Sequence, residues 1–441
     1  MTDETPVLGQ PATPVRLGSA SRLDGAAQET AQPERPASTN SSVDKPRLAS
    51  PRLRPPALGL VVAALVAIVG GGIWWTSRPD PPAPPKLDIP LDAWVPYWTL
   101  DDTIGDAAQR IPLMREISPF WYEAQGVDSI GISEFADPEL VAEFMSIAES
   151  SGVSVVPSVV DLLPAREMAA IIADPVTRTR HVDALFAFAA DGGYDGIDIN
   201  YEQFAFADGR DTWEATRPNW IAFIKELSGR LRADGRSLTV SVPPIYDTAE
   251  TGLSGFWVYD HGAIAPFVDR IRVMAYDFSV GEPGPIAPLA FVDRSIDGVI
   301  EATGDPSKVV LGLAAYGRNW VVSTSGACPE GEEVPGRTTV TARTVDDLIV
   351  RRNATPVQVP ETGEWTFVYD LEITDGTTTC VQSRQVHYVD ADGVRARMDL
   401  AREKQLDGVA LWAFGFEDVA VWDAILPAIS DVDAAEPLVG S

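Results

Sequence analysis

The stretch Asp195-Gly196-Ile197-Asp198-Ile199-Asn200-Tyr201-Glu202 sets polar side chains at alternate positions of a run that otherwise has the apolar character of a buried strand. Successive strand residues point to opposite faces, so Asp198, Asn200 and Glu202 share one face and the apolar residues between them share the other. Covering that polar face with protein would carry a large desolvation cost. The face is therefore either exposed to solvent or part of a functional site.

The sequence on both sides of this run favours a functional site. A half-exposed antiparallel strand is the simpler explanation of an isolated D-x-N-x-E pattern. Here Gly192-Gly193 precedes the run and the amphipathic stretch Trp220–Leu231 follows it, which indicates a βα unit whose parallel strand is covered by helices. Polar side chains that point inward at the carboxyl end of such a strand are typical of the active-site face of a βα barrel.

Short apolar runs alternate with helical patterns along most of the chain. The helical patterns include residues 138–150, 182–190 and 220–231. Eight strands favour an α/β fold of the (β/α)8 TIM-barrel type over residues 90–427, because an open doubly wound sheet usually has fewer strands. The predicted strands are Ala93–Trp98, Ile117–Tyr122, Val153–Val159, Gly196–Tyr201, Ser237–Val242, Arg270–Tyr276, Val309–Ala315 and Gly408–Phe414.

The spacing of the predicted strands breaks once, between the seventh and the eighth. The intervening residues include the strand-like segments Trp365–Leu371 and Thr379–Val389, so we predict a small antiparallel insertion at about residues 321–390. Both cysteines of the chain fall there. In an exported domain Cys328 and Cys380 would pair, and two unrelated buried thiols are the alternative.

The amino-terminal part of the chain predicts a membrane anchor. Residues 1–56 are rich in Pro, Ser, Thr and Ala, which predicts a disordered tail. Ala57–Trp75 is uncharged and apolar over 19 residues, enough for one transmembrane helix, and residues 76–89 form a Pro-rich linker. The basic residues before the helix predict a single-pass signal anchor in the cell membrane, a cytoplasmic tail and a catalytic domain outside the cytoplasm. A cleaved signal peptide is the alternative, although 56 residues are long for its leader.

Charge and histidine content restrict the possible partners. The net charge is −30 and nearly all of it lies beyond residue 56, which argues against a nucleic acid partner. His181, His261 and His387 lack metal-ligand spacing, so we expect no metal and no other cofactor. Residues 428–441 are expected to form a carboxyl-terminal tail.

Three further motifs accompany the first one in order along the predicted barrel. Met274-Ala275-Tyr276-Asp277 falls on strand six, Tyr316-Gly317-Arg318-Asn319-Trp320 follows strand seven, and Gly408-Val409-Ala410-Leu411-Trp412 forms strand eight. Together they resemble the D-G-x-D-x-D-x-E, M-x-Y-D, Y-G-R-x-W and tryptophan motifs of the family 18 glycoside hydrolases. Asn200 replaces the third Asp of the first motif.

The resemblance covers roughly residues 90–427, including the insertion. Pro119-Phe120-Trp121-Tyr122 is similar to the second strand of the branch with short insertions, which includes bacterial spore-lytic and cell-wall-associated enzymes. These chitinase-like proteins act on glycans that contain N-acetylglucosamine. The resemblance therefore implies a polysaccharide or other glycan of that class as the partner.

A family 18 resemblance implies a substrate-assisted retaining reaction, in which the 2-acetamido oxygen of the sugar attacks C1 and one protein acid suffices. Glu202 matches that acid, and burial beside Asp198 is expected to raise its pKa. Asn200 stands where the family has the Asp that orients the acetamido group and stabilises the oxazolinium ion. An amide keeps the hydrogen bond but loses the charge, at a cost on the order of 2–4 kcal/mol.

The resemblance also implies roles for the other motif residues. Tyr276 matches the phenol that bonds the acetamido carbonyl, Asp277 a contact to a substrate hydroxyl, and Trp412 the floor under the scissile sugar. Core packing is the alternative for such Tyr and Trp residues. Further assignments are Met274, Tyr97 and Trp98 to substrate binding, Trp365 and Tyr369 to the side of a groove, and Asp195 and Gly196 to structural positions of the motif.

Two classes of function follow. The first is a membrane-anchored extracytoplasmic glycoside hydrolase of N-acetylglucosamine-containing glycans, which the buried acid Glu202 favours. The second is a catalytically weak, lectin-like barrel, which Asn200 favours. A transglycosylase that positions an oxazoline but hydrolyses it slowly is a third interpretation.

Overall fold

The computed structural model describes residues 88–245, 257–329 and 336–426. The predicted tail 1–56, the membrane segment Ala57–Trp75, nearly all of the linker 76–89 and the tail 428–441 lie outside these ranges. Within them, no helix combines the length and apolarity needed to cross a bilayer. The membrane anchor therefore stays a prediction from the sequence.

Strands and helices alternate along the described chain. The strands are β1 (Leu91–Pro96), β2 (Glu116–Phe120), β3 (Tyr122–Ala124), β4 (Ile130–Ile132), β5 (Ser154–Val155), β6 (Ser158–Asp161), β7 (Gly196–Asn200), β8 (Ser237–Val242), β9 (Arg270–Val273), β10 (Val309–Ala314), β11 (Tyr316–Gly326), β12 (Arg337–Thr341), β13 (Val357–Val359), β14 (Glu364–Thr374), β15 (Thr379–Tyr388) and β16 (Gly408–Trp412). The helices are α1 (Leu100–Arg110), α2 (Pro138–Ser151), α3 (Glu167–Ala173), α4 (Pro175–Asp191), α5 (Gln203–Phe206), α6 (Trp213–Ala233), α7 (His261–Ile264), α8 (Leu289–Thr303), α9 (Ala342–Arg352), α10 (Ala391–Glu403) and α11 (Val419–Ile425).

The parallel strands close into a barrel. β2 and β3 form one barrel strand interrupted at Trp121, and β5 and β6 form the next. β2 pairs with β5 and β3 with β6, so the order β3-β6-β7-β8-β9-β10-β16-β1-β2-β5 returns to its start. β4 adds an antiparallel pair to β3. The predicted TIM barrel is confirmed, and each predicted strand overlaps a strand of this barrel.

The helix ends follow ordinary capping rules. α2 begins after Asp137, whose carboxylate accepts a hydrogen bond from the Glu139 backbone N–H at 2.8 Å. Pro138 occupies the first helical position, where its missing N–H is not needed. The helix ends at Gly152, which has φ +69°. Such caps fix the βα connections that surround the barrel.

The apolar face of β7 packs against the outer helices. Ile197, Ile199 and Tyr201 are fully buried. The Tyr201 ring lies 5.9 Å from that of Phe223 on α6, and its hydroxyl is 2.8 Å from Nε2 of His181 on α4. Since side chains alternate along a strand, the opposite, polar face of β7 points into the barrel. The alternative interpretation, in which this segment is a half-exposed antiparallel strand, is therefore wrong.

An antiparallel sheet lies between β10 and β16, where the sequence predicts an insertion. Its order is β12-β11-β15-β14-β13. It begins at Tyr316, earlier than the expected boundary at residue 321, because the Tyr316–Trp320 motif is itself the first part of β11. Cys328 and Cys380, the pair expected from the sequence, are joined by a disulfide with an S–S distance of 2.05 Å.

The assignment of Trp365 and Tyr369 to a groove is wrong. Tyr369 is buried in the core of the insertion, and its hydroxyl accepts a hydrogen bond from Asn319 Nδ2 at 2.9 Å. Trp365 packs half-buried against the same core. Both residues share one face of β14 with the buried Phe367, and α9 covers this face through Val345 and Leu348.

A buried ion pair fixes the insertion to the barrel. Glu364 of β14 accepts hydrogen bonds from the backbone N–H groups of Ile286 and Ala287 at 2.8 and 2.7 Å. Arg397 of α10 lies 3.2 Å from the same carboxylate. Ile286 and Ala287 belong to the connection between β9 and α8, which also contains Asp277. The insertion is thus anchored directly to a loop of the predicted site.

Candidate active site

The candidate site is the interior of the barrel at the carboxyl ends of its strands. Asp198 and Asn200 are 0% and 2% exposed, so the polar face of β7 is covered by neighbouring strands. Asp198 lies beside Ser158 of β6 and Thr239 of β8 in the strand register. An interior lined by polar groups in place of the usual branched apolar residues indicates a site.

Asp198 is held entirely by hydrogen-bond donors. Its carboxylate accepts from Trp94 Nε1 at 3.0 Å and from Ser241 Oγ at 2.7 and 2.9 Å. Arg272 Nη1 donates to the same group at 3.2 Å. Trp94 and Arg272 can only donate hydrogen bonds, and the Ser241 hydroxyl can rotate so that it donates one. Asp198 is therefore fixed in place and has little capacity left for a ligand.

Glu202 lies just beyond the end of β7, at the mouth of the barrel, and is partly exposed. Burial raises the pKa of its carboxyl to about 7, with further contributions from the charges of Asp277 and Asp198. The direction and the main cause agree with the expectation from the sequence, and the structure adds the charge of Asp277. A carboxyl that is protonated near neutral pH and reachable from solvent is suited to general acid catalysis.

Asp161, at the carboxyl end of β6, holds the backbone of Glu202. Its Oδ1 accepts hydrogen bonds from the backbone N–H groups of Glu202 at 2.8 Å and Gln203 at 3.4 Å. The residue is 2% exposed, and burial raises its pKa well above the ordinary value. Asp161 escaped the sequence analysis because the predicted third strand stops at Val159. The carboxyl end of a barrel strand was the signal that could have found it.

Replacing Asp161 tests this positioning role. Asp161→Ala removes the acceptor of the Glu202 N–H and should lower kcat by about 10- to 100-fold, as expected for one buried unsatisfied donor. Asp161→Asn keeps an acceptor oxygen in the same position and should restore most of kcat. Steady-state kinetics and thermal melting of both variants separate positioning from stability. An alanine variant with unchanged kcat, or an asparagine variant as slow as alanine, would contradict the assignment.

Asn200 presents a free acceptor to the site. Its Oδ1 is buried and has no hydrogen-bond partner among the described residues. An unsatisfied buried carbonyl costs about 1–3 kcal/mol unless a ligand or water satisfies it. The oxygen is therefore available to an N–H or O–H group of a ligand that enters the barrel.

The strand-six motif contributes a phenol and a carboxylate. Burial and then the charges of Glu202, Asp277 and Asp198 raise the pKa of Tyr276 well above its ordinary value, so its hydroxyl stays a donor. Asp277 has φ +55° and accepts hydrogen bonds from the Tyr316 hydroxyl at 2.5 Å and from Arg318 Nε at 3.0 Å. Tyr316 and Arg318 belong to β11, so the insertion directly positions the Asp277 side chain.

An aromatic cluster borders the same opening. The Trp412 ring lies 5.1 Å from Phe120, 5.9 Å from Trp94 and 6.3 Å from Trp98. Tyr97 packs edge-on against Trp98 at 4.9 Å. Trp412, Trp98, Tyr97 and Met274 are all partly exposed, which leaves ring surface for a ligand. The structure thus brings the predicted aromatic residues together with the polar motif.

The two structural motif positions lie at the other end of β7. Asp195 Oδ2 accepts a hydrogen bond from the Val155 backbone N–H at 2.8 Å, which ties β7 to β5. A Cβ atom on Gly196 would lie 2.5 Å from the Ser237 carbonyl oxygen, so no larger residue fits there. In the parts of the chain that the structure describes, no cluster of three or more His, Cys, Asp and Glu residues could hold a metal ion.

Comparisons with known proteins agree with this geometry. The profile of the glycosyl hydrolases family 18 matches residues 119–417. The putative sporulation-specific glycosylase YdhD of Bacillus subtilis is 28% identical over 248 residues, which cover 55% of this chain and 52% of that protein. The chain therefore spans about half the length of this curated relative.

Solved structures share the fold. The spore cortex-lytic enzyme SleL of Bacillus cereus aligns with a TM-score of 0.63 at 18% identity, covering 77% of this chain and 74% of that one. A GH18 chitinase from Cycas revoluta, solved in complex with (GlcNAc)3, aligns with a TM-score of 0.59 at 19% identity, covering 76% and 98%. At these identities the likeness establishes the barrel alone.

Proposed function

The chain belongs to the glycosyl hydrolases of family 18 and is a glycosidase, and we propose that it hydrolyses N-acetylglucosamine-containing glycans with retention, assisted by the substrate's own acetamido group. Glu202 is the proton donor to the leaving oxygen. The observation that supports this proposal most directly is the contrast between Glu202 and the other carboxylates of the site.

Among the motif carboxylates near the carboxyl ends of the strands, which are Asp198, Glu202 and Asp277, Glu202 is the one that is partly exposed and has no side-chain hydrogen bond to another described residue. Asp198 is engaged by Trp94, Ser241 and Arg272. Asp277 is engaged by Tyr316 and Arg318. A retaining enzyme with its own nucleophile needs a second free carboxylate close to the acid. Neither Asp198 nor Asp277 is free to act as that second carboxylate, so the nucleophile is best supplied by the 2-acetamido oxygen of the sugar.

The polar groups beside Glu202 complement an acetamido group. Tyr276 is a donor suited to the acetamido carbonyl, and the unpartnered Oδ1 of Asn200 is an acceptor suited to its N–H. Together these two residues orient the acetamido oxygen towards C1 of the sugar. The aromatic surface of Trp412 and Trp98 supports the sugar ring, as apolar ring faces pack on aromatic side chains.

We further propose that Ala57–Trp75 anchors the enzyme in the cell membrane with the barrel outside the cytoplasm. The apolar length of that segment supports an anchor. The Cys328–Cys380 disulfide supports an oxidising compartment. A barrel on the outer side of the membrane is close to cell-wall glycans, and its relatives are named a sporulation-specific glycosylase and a spore cortex-lytic enzyme. We therefore choose peptidoglycan as the first substrate to test.

A lectin-like barrel or a transglycosylase is the second candidate, and the neutral side chain of Asn200 favours it. Without the charge at this position, the oxazolinium ion is stabilised less and its hydrolysis is slowed. A glycan could then be bound, or transferred to another sugar, faster than it is hydrolysed.

The test is incubation of the full-length protein with peptidoglycan, chitooligosaccharides and N-glycans, with products read by mass spectrometry and the first-formed anomer by NMR. Glu202→Gln is the matched control. We expect new reducing ends of the retained β-anomer from at least one substrate with the wild type only. Binding without cleavage would favour the lectin, longer oligosaccharides the transglycosylase, and an inverted anomer would refute substrate assistance.

A further inference from the structure

Glu123 of β3 points into the mouth of the barrel, although strict alternation along the strand would turn it outward. Trp121 packs on α2 and Tyr122 packs on α4, so two successive side chains face the outer helices. The interruption of the strand at Trp121 therefore shifts the alternation by one residue. Phe120 packs in the interior of the barrel before the interruption, and Glu123 faces the interior after it.

The strand register places Glu123 in one row with Asn200. Glu123 pairs with Val160 of β6, and Val160 pairs with Asn200 of β7. Val160 packs against the interior residues Trp94 and Phe120, so the row faces the inside of the barrel. Neighbouring strands are about 4.8 Å apart, which separates the Cα atoms of Glu123 and Asn200 by roughly 10 Å. Glu123 and Val160 are both partly exposed, so a ligand can reach this row.

The Glu123 carboxylate has no partner of its own. In the described parts of the chain, no hydrogen bond or ion pair joins its side chain to another residue. Tyr97 is close enough to be affected by its charge: burial raises the pKa of Tyr97, a hydrogen bond with Ser133 lowers it, and the negative charge of Glu123 raises it. Asn200 Oδ1, in the same row, is a second acceptor without a described partner. Two such acceptors at one opening indicate that their donors belong to a ligand.

The position of Glu123 suits a contact to the glycan better than attack at C1. The nucleophile of a retaining glycosidase has its carboxyl group about 5 Å from that of the acid. The charges that raise the pKa of Glu202 are those of Asp277 and Asp198, and the charge of Glu123 is not among them. Glu123 therefore faces the side of the opening where Tyr97 lies, and not the space beside Glu202.

We propose that Glu123 is a substrate-binding residue, whose carboxylate accepts a hydrogen bond from a hydroxyl group of the glycan while Asn200 accepts the acetamido N–H. The two acceptors stand on either side of Val160 and hold two different groups of the bound glycan. Sugar hydroxyls are donors that a carboxylate binds more strongly than a neutral acceptor does. This inference rests on the proposed function for the identity of the ligand as a glycan, but it does not require that the glycan is cleaved.

The first measurement is binding without turnover. Full-length Glu202→Gln protein is titrated by calorimetry with the hexamer of N-acetylglucosamine, and with soluble peptidoglycan fragments as a second probe. Adding Glu123→Ala should weaken binding of at least one probe by about 10-fold or more, because a charge-assisted hydrogen bond is lost. Glu123→Gln keeps one acceptor oxygen and should lose less. Neither variant should lower the melting temperature, since Glu123 has no described partner in the free protein.

The matched control is Glu143→Gln, which removes the same charge from the exposed side of α2, outside the barrel. It should leave binding unchanged. On a glycan that the wild type cleaves, Glu123→Ala should raise KM by about the factor that it raises the dissociation constant, with little change in kcat. A hydroxyl contact away from C1 serves the ground state and the transition state alike.

Unchanged affinity in folded Glu123→Ala would overturn the inference while the proposed function stands, as long as the wild type cleaves the same glycan. An equal loss in Glu143→Gln, or a fall in melting temperature that accompanies the loss of affinity, would overturn it too, as would the absence of binding to both probes. If the protein binds a glycan that it never cleaves and Glu123→Ala weakens that binding, hydrolysis fails as the function and Glu123 remains a glycan-binding residue.

Discussion

Glu202→Gln is expected to abolish glycan hydrolysis, with a loss of about 10²- to 10⁴-fold or more in kcat. The variant removes the proton donor while it keeps the size of the side chain and the Asp161 hydrogen bond to its backbone N–H. Binding of a substrate oligosaccharide should stay close to that of the wild type. Initial rates and calorimetric binding on the same glycan check both statements, and wild-type turnover in the variant would show that another group is the acid.

The pH dependence of the wild type follows from the same residue. Glu202 acts in its protonated form, and burial raises its pKa to about 7, so kcat/KM should fall as pH rises through about 7. Glu417 is a suitable control, because burial raises its pKa to about 7 as well. Its carboxylate accepts hydrogen bonds from Gly415 N at 2.7 Å and from Trp422 Nε1, and these partners lie away from β7. Glu417→Gln should leave the alkaline limb in place.

Asn200→Asp should have the second largest effect. A carboxylate at this position can stabilise the oxazolinium ion by on the order of 2–4 kcal/mol, about 30-fold or more in rate, where it is ionised. It also adds a like charge between Asp198 and Glu202, which raises the pKa of Glu202 further and couples the titrations. We therefore expect a faster enzyme whose alkaline limb moves upward and which loses rate at acid pH as the new carboxyl is protonated.

The same variant separates the enzyme from the lectin. If the wild type binds a glycan without cleaving it because of this position alone, Asn200→Asp should create cleavage where none existed. Asn200→Ala is the matched control, since it removes the acceptor without adding a charge and should weaken both binding and cleavage. A rate and pH profile unchanged by the aspartate would refute a catalytic role for residue 200 and leave the binding function as the better account.

The sequence by itself determined the barrel and the position of its chemistry. Alternation along Asp195–Glu202 assigned Asp198, Asn200 and Glu202 to one face, because side-chain direction in a strand depends only on local backbone geometry. Short apolar runs between helical patterns located the eight barrel strands, and the break in their spacing located the antiparallel insertion. The presence of Asn200 in place of the third Asp of the family motif was also visible, because a comparison with that motif needs no tertiary structure.

Only the tertiary structure decided which groups surround that face. Trp94 and Asp198 are 104 residues apart, and Arg272 and Glu116 are 156 residues apart, so their contacts exist only after the barrel closes. Tyr369 shows the same limit, because its aromatic character was visible but its burial in the insertion core depends on how β14 packs against α9. Local periodicity sets the direction of a side chain, whereas its partners, burial and charge environment depend on strands that are distant in sequence.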